Sequence, residues 1–345
     1  MTWSSITPDL GRLSVVVPCF NHGEYLAECL DAILDQSVVP DEIFVLDDAS
    51  TDSSYAVADE YRQRHSCIRL ERNATNLGAV GNINRGLERA TGQWVLFAAA
   101  DDWLLPEMLA TAARVLAGHP GAGLWSALSL IARHGRLTIL PTTRPLRRSG
   151  YLSPGRARRK MIWCDSWFMG NTCILNREKA LAFGGLRPEL HSFSDNFLYR
   201  QLSAKYGACF TPKPLAVWRL TSGYAARTHA NPDMMHGIRS AAARIMQEEY
   251  GDLFSAAYVA RFERRHRYQA ATGIDFSRPD AADRLADVLI APSDADRRML
   301  RWLVRRGRRS ALAFLFWKLR LPDGWEVLSR HLYWRTRIKR EGGGS

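Results

Sequence analysis

The chain has 345 residues, 46% of them apolar and 24% charged, with a formal net charge of +12. At ~150 residues per domain this length suggests about two domains, and the apolar content is enough for a packed core, which excludes wholesale disorder. The uncharged stretch around residues 121–132 falls short of the ~20 apolar residues a membrane-spanning helix needs, and six scattered cysteines without a CxxC pair argue against a zinc site or a disulfide framework.

The N-terminal MTWSSITPDLGRL lacks a basic segment followed by an apolar one, so no secretory signal is expected. Residues 13–17 (LSVVV) form a short β-branched apolar run stopped by Pro18, which predicts a strand buried on both faces. Residues 24–36 carry Tyr25, Leu26, Cys29, Leu30, Ile33 and Leu34 at the spacing of one helix face. The alternation continues with strands at 42–46 (EIFVL), 67–70 and 94–98 (WVLFA), and helices at 53–64 and 79–90. Strands alternating with helices imply a parallel sheet, whose ligands bind at the carboxyl ends of the strands. That rule selects the segments 18–23, 47–52 and 99–103. Further on, the pattern is mixed, with short helices at 177–183 and 195–206. Beyond Pro232 the chain is helical and Arg-rich.

Each selected segment carries polar groups with two readings. Asp47 and Asp48 follow the second strand and can accept hydrogen bonds from a base or a ribose, or cap the next helix. Pro18, Phe20, Asn21 and His22 form a turn that needs no function. Asp101 and Asp102 follow the fourth strand, where carboxylates can hold Mg²⁺ or Mn²⁺ on phosphate oxygens, or simply precede a helix that starts near Pro106. Asp195 opens a helix, as a general base or as a first-turn acid favoured by the helix dipole. A GxGxxG turn after the first strand is missing, since PCFNHG stands there, and this disfavours a nicotinamide-dependent dehydrogenase.

In order, the segments VVVPCFNHGEYLAECLDAILDQS, VLDDASTDSS and NLGAVGNINRGLERATGQWVLFAAADDWLLP resemble the nucleotide-binding half of family 2 glycosyltransferases. The resemblance spans residues 13–222. It implies a GT-A fold, an α/β architecture with a Rossmann-like nucleotide-binding sheet and a mixed acceptor-side region. It also implies an inverting transferase that takes its sugar from a nucleotide-diphosphate donor, with a UDP-sugar as the expected donor. Carried over position by position, the nucleotide-binding residues would be Pro18, Phe20, Asn21, Asp47, Asp48, Asn76, Gly78, Asn82 and Asp101. Asp101 and Asp102 would bind Mn²⁺ or Mg²⁺, and Asp195 would be the catalytic base. Four positions depart from the family pattern: Ala99 replaces the first acid of the metal loop, Ser194 the acid before the base, Thr221 a histidine and Ile83 an arginine.

The expected organisation is a glycosyltransferase domain over residues 1–225, with its nucleotide half at 10–105 and its acceptor half at 106–225. A helical basic region follows at 226–340, and then a flexible GGGS-containing tail at 341–345. Residues 296–340 hold 14 of the 47 basic residues against 3 acidic ones, with aromatic residues interleaved. That mixture suits an anionic membrane surface, or a helical subdomain packed on the body. Nucleic acid is the less favoured partner, because no recognised motif accompanies the charge. The expected acceptor is a glycan or a lipid-linked one, and the expected location is cytoplasmic, peripheral at the inner face of the cell membrane. Ala99 and Thr221 keep one other class open, a GT-A-like module that binds a glycan or a protein without catalysis.

Overall fold

The computed structural model describes residues 11–133, 135–139, 144–220, 231–289 and 291–319. They fall into two compact units, one from Met1–Lys160 with Cys164–Thr221, the other from Met161–Trp163 with Ser222–Ser345.

The first unit is built on one sheet. In chain order it runs β1 (Leu13–Cys19), α1 (Gly23–Leu34), β2 (Glu42–Asp47), α2 (Ser54–Arg64), β3 (Ile68–Arg72), α3 (Gly78–Arg89) and β4 (Trp94–Phe97). It continues through β5 (Trp103–Leu104), α4 (Met108–Leu116), β6 (Leu124–Arg133), β7 (Arg136–Ile139), β8 (Gly150–Leu152) and α5 (Pro154–Trp163), whose last three residues count with the second unit. Next come β9 (Ile174–Asn176), α6 (Arg177–Leu181), α7 (Ser194–Tyr206) and β10 (Ala208–Arg219). The strand order is β3-β2-β1-β4-β9-β6-β10-β5, with β7 beside β6 and β8 beside β10. The pairs β2–β3, β1–β2 and β1–β4 are parallel, while β9 runs antiparallel to both β4 and β6. A Rossmann-like half thus passes into a mixed half across β9.

The β-branched run Val15–Val17 is fully buried, as expected of an inner parallel strand with helices on both faces. Strand β1 continues through Pro18 to Cys19, past the stop expected at the proline. The reason is local pairing: β4 leaves β1 after Val16, so Pro18 pairs on the β2 side alone and its missing N–H breaks no bond of the β4 ladder. The same divergence opens the sheet between β1 and β4 at their carboxyl ends. Gly86 lets α3 lie close on this sheet, because a Cβ there would stand 2.3 Å from Val16 Cγ1. On the other half, β10 keeps its pairing with β6 by bulging around Pro214, where the register shifts twice.

The second unit is helical: α8 (Pro232–Glu248), α9 (Ala256–Thr272), α10 (Ala281–Asp287), α11 (Asp294–Arg306) and α12 (Arg308–Lys318). Its core gathers Tyr268, Leu285, Leu300, Leu312 and Leu315. A reciprocal capping box between Ser293 and Asp296 starts α11, and Lys318 closes on the same carboxylate at 2.6 Å. The hydrogen bonds from Lys318 and Ser293 push Asp296 down to about 2. No helix among the described residues is long and apolar enough to cross a membrane.

Candidate active site

Three loops meet at the opened carboxyl ends of β1, β2 and β4. The first two are stitched side chain to backbone. Asn21 N donates to Ser50 Oγ (3.0 Å), Thr51 N to Asn21 Oδ1 (2.8 Å), His22 N to Ser54 Oγ (2.9 Å) and Gly23 N to Asp52 Oδ2 (2.9 Å). The capping thought open to Asp47 and Asp48 is thus performed by Asp52 and Ser54, and for α1 as well as α2. Burial alone would raise the Asp52 carboxyl, but the hydrogen bonds from Ser54 and Gly23 hold it below its ordinary value. Both loops turn through left-handed backbone at non-glycine residues, Asn21 (φ 56°) and Ala49 (φ 61°).

Asp47 is buried at the end of β2. Its Oδ2 meets Arg72 Nε at 3.1 Å and Ser50 N at 3.3 Å, while Oδ1 is enclosed with no hydrogen-bond partner among the described residues. A buried carboxylate oxygen left open is an acceptor waiting for a donor. Asp48 and Asn82, both expected at the nucleotide, lie buried in one hydrogen-bonded group. Asp48 Oδ1 accepts from Asn73 Nδ2 (2.7 Å) and Leu77 N (2.8 Å), and Asn82 bridges Leu46 O and Asn73. Both are buried framework that fixes the loop around Asp47. Pro18 is half-buried on β1 and Phe20 is 41% exposed beside it. Asn76 turns its Oδ1 onto Gly78 N (2.8 Å), and Gly78 takes a φ of 74°, so the pair forms the turn into α3.

The third loop carries Asp101 and Asp102, and the structure separates the two. Asp101 is half-buried. Asp102 is buried and turned into the protein, with Oδ1 accepting from Arg219 N at 2.9 Å. Burial and then repulsion from Asp101 raise the Asp102 carboxyl well above its ordinary value, against hydrogen bonds from Arg219 N and the Asn171 side chain. Of the two expected metal ligands, Asp101 is half-buried while Asp102 is buried and bonded to Arg219 N. Arg219 itself was not singled out in the sequence. It donates from Nε to Asp101 O (3.0 Å), pairs with Glu28, and lies over the rings of Tyr25 (4.7 Å) and Trp103 (4.6 Å). Its only sequence signal is a charge ending the otherwise apolar strand segment LAVWR.

Asp195 stands in the first turn of α7. Its Oδ1 accepts from Asn196 N (2.6 Å), and its Oδ2 lies so near Gly170 that a Cβ there would come within 3.0 Å. The following residue, Asn171, reaches Ser129 Oγ (3.2 Å) and the Asp102 carboxylate. The short turn Gly170–Thr172 therefore touches Asp195 on one side and the third loop on the other. It is pinned by Thr172 Oγ1 to Ala127 N (3.1 Å) and Ala127 O (3.0 Å). Burial raises the Asp195 carboxyl, opposed by Asn196 and by the charge of Arg200. Arg200, also missed in the sequence, is buried between Asp165 (3.4 Å) and Asn196 O (2.8 Å). Thr221 lies outside the described residues.

The family model for glycosyl transferase family 2 matches residues 14–183. The chain belongs to glycosyl transferase family 2. It is 31% identical over 229 residues to an uncharacterized protein of Mycobacterium tuberculosis, covering 63% of this chain and 70% of that one. It is 38% identical over 100 residues to the uncharacterized glycosyltransferase YibD of Escherichia coli, 29% of either chain. Among solved structures, S. aureus TarS 1–349 in complex with UDP-GlcNAc matches with a TM-score of 0.62 at 18% identity, over 87% of this chain and 89% of that one. A Pyrobaculum calidifontis mannosyltransferase in complex with GDP-Man and Mn²⁺ matches with a TM-score of 0.59 at 20% identity, over 93% and 90%. These neighbours show that this family 2 glycosyltransferase has the GT-A fold.

Proposed function

We propose that this family 2 glycosyltransferase moves a sugar from a nucleoside-diphosphate donor, a UDP-sugar, to a hydroxyl of a glycan or lipid-linked acceptor with inversion at the anomeric carbon. The observation that carries the reading is the Gly170–Thr172 turn, which links a half-buried carboxylate of raised pKa, Asp195, to the loop holding Asp101. A UDP-GlcNAc complex among the structural neighbours supports the donor class. A Bacillus spizizenii relative, 31% identical over 101 residues, is a poly(ribitol-phosphate) beta-glucosyltransferase and supports a polymeric acceptor.

The open Oδ1 of Asp47 would accept a base N–H, with Phe20 and Asn21 beside it on the first loop. The residues fit a divalent cation, because Asp101 offers a hard oxygen ligand, and such ions use one or two carboxylates together with substrate phosphates. Asp101 would hold Mn²⁺ or Mg²⁺, which when bound offsets charge on the departing diphosphate. Asp195 takes the proton of the acceptor hydroxyl as that oxygen bonds to the anomeric carbon. The bond from that carbon to the phosphate oxygen breaks on the opposite face, and its electron pair leaves with the diphosphate. One displacement with one base inverts the centre. A carboxyl raised above its ordinary range is the stronger base for this step.

Calorimetric titration of UDP with and without Mn²⁺, on the wild type and on Asp101→Ala, tests the donor site. Asp101→Ala should lose about tenfold or more of the metal-dependent affinity; equal UDP affinity in the presence of a chelator would remove the cation from the reading. Ala99, where the family carries an acid, favours one other reading, the non-catalytic module. Retained UDP binding without turnover on any sugar of a nucleotide-sugar panel would decide for it.

A further inference from the structure

The helix α11 uses only one of its faces to fold the second unit. Asp296, Leu300, Leu303 and Val304 turn to the core, at the spacing of one helical stripe. At about 100° per residue, Arg298, Trp302 and Arg305 fall on the opposite side, and Arg306 and Met299 continue that face round one flank of the helix. All five are exposed, Met299 at 43% and Trp302 at 47%. The flanking arginines are neutralised, Arg297 by Asp287 (3.5 Å) and Arg301 by Asp283 (3.0 Å). Arg298, Arg305 and Arg306 form no ion pair with an acid among the described residues. Asp283, Asp287 and Asp296 are thus spent beside the stripe, and the stripe carries three arginines around an apolar centre, with Asp294 the one acid of the helix on its side.

We propose that this face of α11 docks on an anionic lipid bilayer surface, with Trp302 and Met299 entering the interface and Arg298, Arg305 and Arg306 on the phosphates. An amphipathic tryptophan with a polar N–H prefers that depth, and arginines near an anionic surface add attraction. A nucleic acid would use the same charge but would stack its bases on the indole. Arg306 already lies over that ring at 3.8 Å, and Met299 offers no stacking face. The chemistry therefore favours lipid. This surface belongs to the second unit and does not depend on the transfer reaction proposed above, so binding is measured with no donor present.

The experiment is co-sedimentation of the full chain with phosphatidylglycerol-containing vesicles and with pure phosphatidylcholine vesicles. The chain should bind the first, release in high salt, and ignore the second. Arg298→Gln/Arg305→Gln should weaken binding about thirtyfold, and Met299→Ser/Trp302→Ser at least about tenfold. Arg297→Gln/Arg301→Gln removes the same charge beside the stripe and should cost clearly less. Thermal melts establish that each variant folds. Equal losses from the stripe and flank pairs would reduce the effect to net charge and overturn the proposal. So would unaltered binding of the stripe variants, or binding to a single-stranded oligonucleotide with none to vesicles.

Discussion

The carboxylates on the two sides of the site are supplied in opposite ways. On the β1–β2 side the protein surrounds them with donors: Arg72 and Ser50 N on Asp47, Asn73 and Leu77 N on Asp48, Ser54 and Gly23 N on Asp52. On the α7 side, half-buried Asp195 takes its hydrogen bonds from its own helix turn, with Cys173 and Tyr199 nearby, both raised by burial and further by its charge. In the proposed reading, the acids on the donor side draw on fixed donors from several loops, apart from the open Oδ1 of Asp47, whereas the proposed base takes its hydrogen bonds from its own helix turn. The difference is one of preorganisation, donors aimed in advance against a charge kept costly.

The largest test removes that charge. Asp195→Asn should lower turnover by about a thousandfold while leaving UDP affinity near wild type. It should also raise the melting temperature, because burial disfavours the ionised form in the folded state. The sign follows from linkage. A carboxyl whose pKa is raised on folding destabilises the fold fully above that raised value. The penalty shrinks as pH falls below it and vanishes below the ordinary 3.8. The advantage of the Asn variant in melting temperature should therefore narrow in acid. Turnover of the wild type should fall through a midpoint above the ordinary carboxylate range, measured as kcat against pH. A melting temperature that drops on substitution would contradict the contrast between the two sides.

The next effect concerns how Asp195 is positioned. Arg200 and Asp165 are both buried and paired, and Arg200 also carries Asn196 O. Arg200→Met should cost about 3–5 kcal/mol in urea unfolding, because Asp165 is left charged and buried. Arg200→Met/Asp165→Asn should recover a good part of it. On the other side of the turn, Arg219→Met keeps the backbone bond to Asp102 and loses the bond to Asp101 O and the pair with Glu28. It should raise the KM for the donor about tenfold and leave stability within about 1 kcal/mol, since the lost pair is partly solvated.

Strands and loops of the first half were legible in the sequence because their signals are local. An apolar β-branched run such as VVV, a helix face repeating at three and four residues, and acids at strand ends all lie within one window of the chain. The arginines that organise the site carry no such signal. Arg219 acts on Asp101 and Asp102 from 118 and 117 positions away, and Arg200 finds Asp165 35 positions back. Nothing near Asp102 distinguishes it from Asp101; the strand that turns it inward arrives at the end of the first unit. The partner that Asp48 and Asn82 share, Asn73, was equally silent in the sequence, since it belongs to the loop after β3. Pro18 shows the converse case, a local stop signal overruled because β4 had already left that edge.

The smallest effect separates backbone strain from charge as the cost carried by each side. Ala49 sits between Asp48 and Ser50 at φ 61°, where a Cβ crowds the backbone by about 1–2 kcal/mol. Glycine removes that crowding but gives the unfolded chain more freedom to lose, which offsets roughly half of the gain. Ala49→Gly should therefore raise the melting temperature by about 2 °C. UDP affinity should hold, because Arg72 and Ser50 N fix Asp47 independently of the residue between them. A stability gain with unchanged affinity would mean that the donor side tolerates local strain without using it. A gain bought with weaker UDP binding would mean that the strained turn itself aims the open oxygen of Asp47, and the two sides of the site would then differ less than their charges suggest.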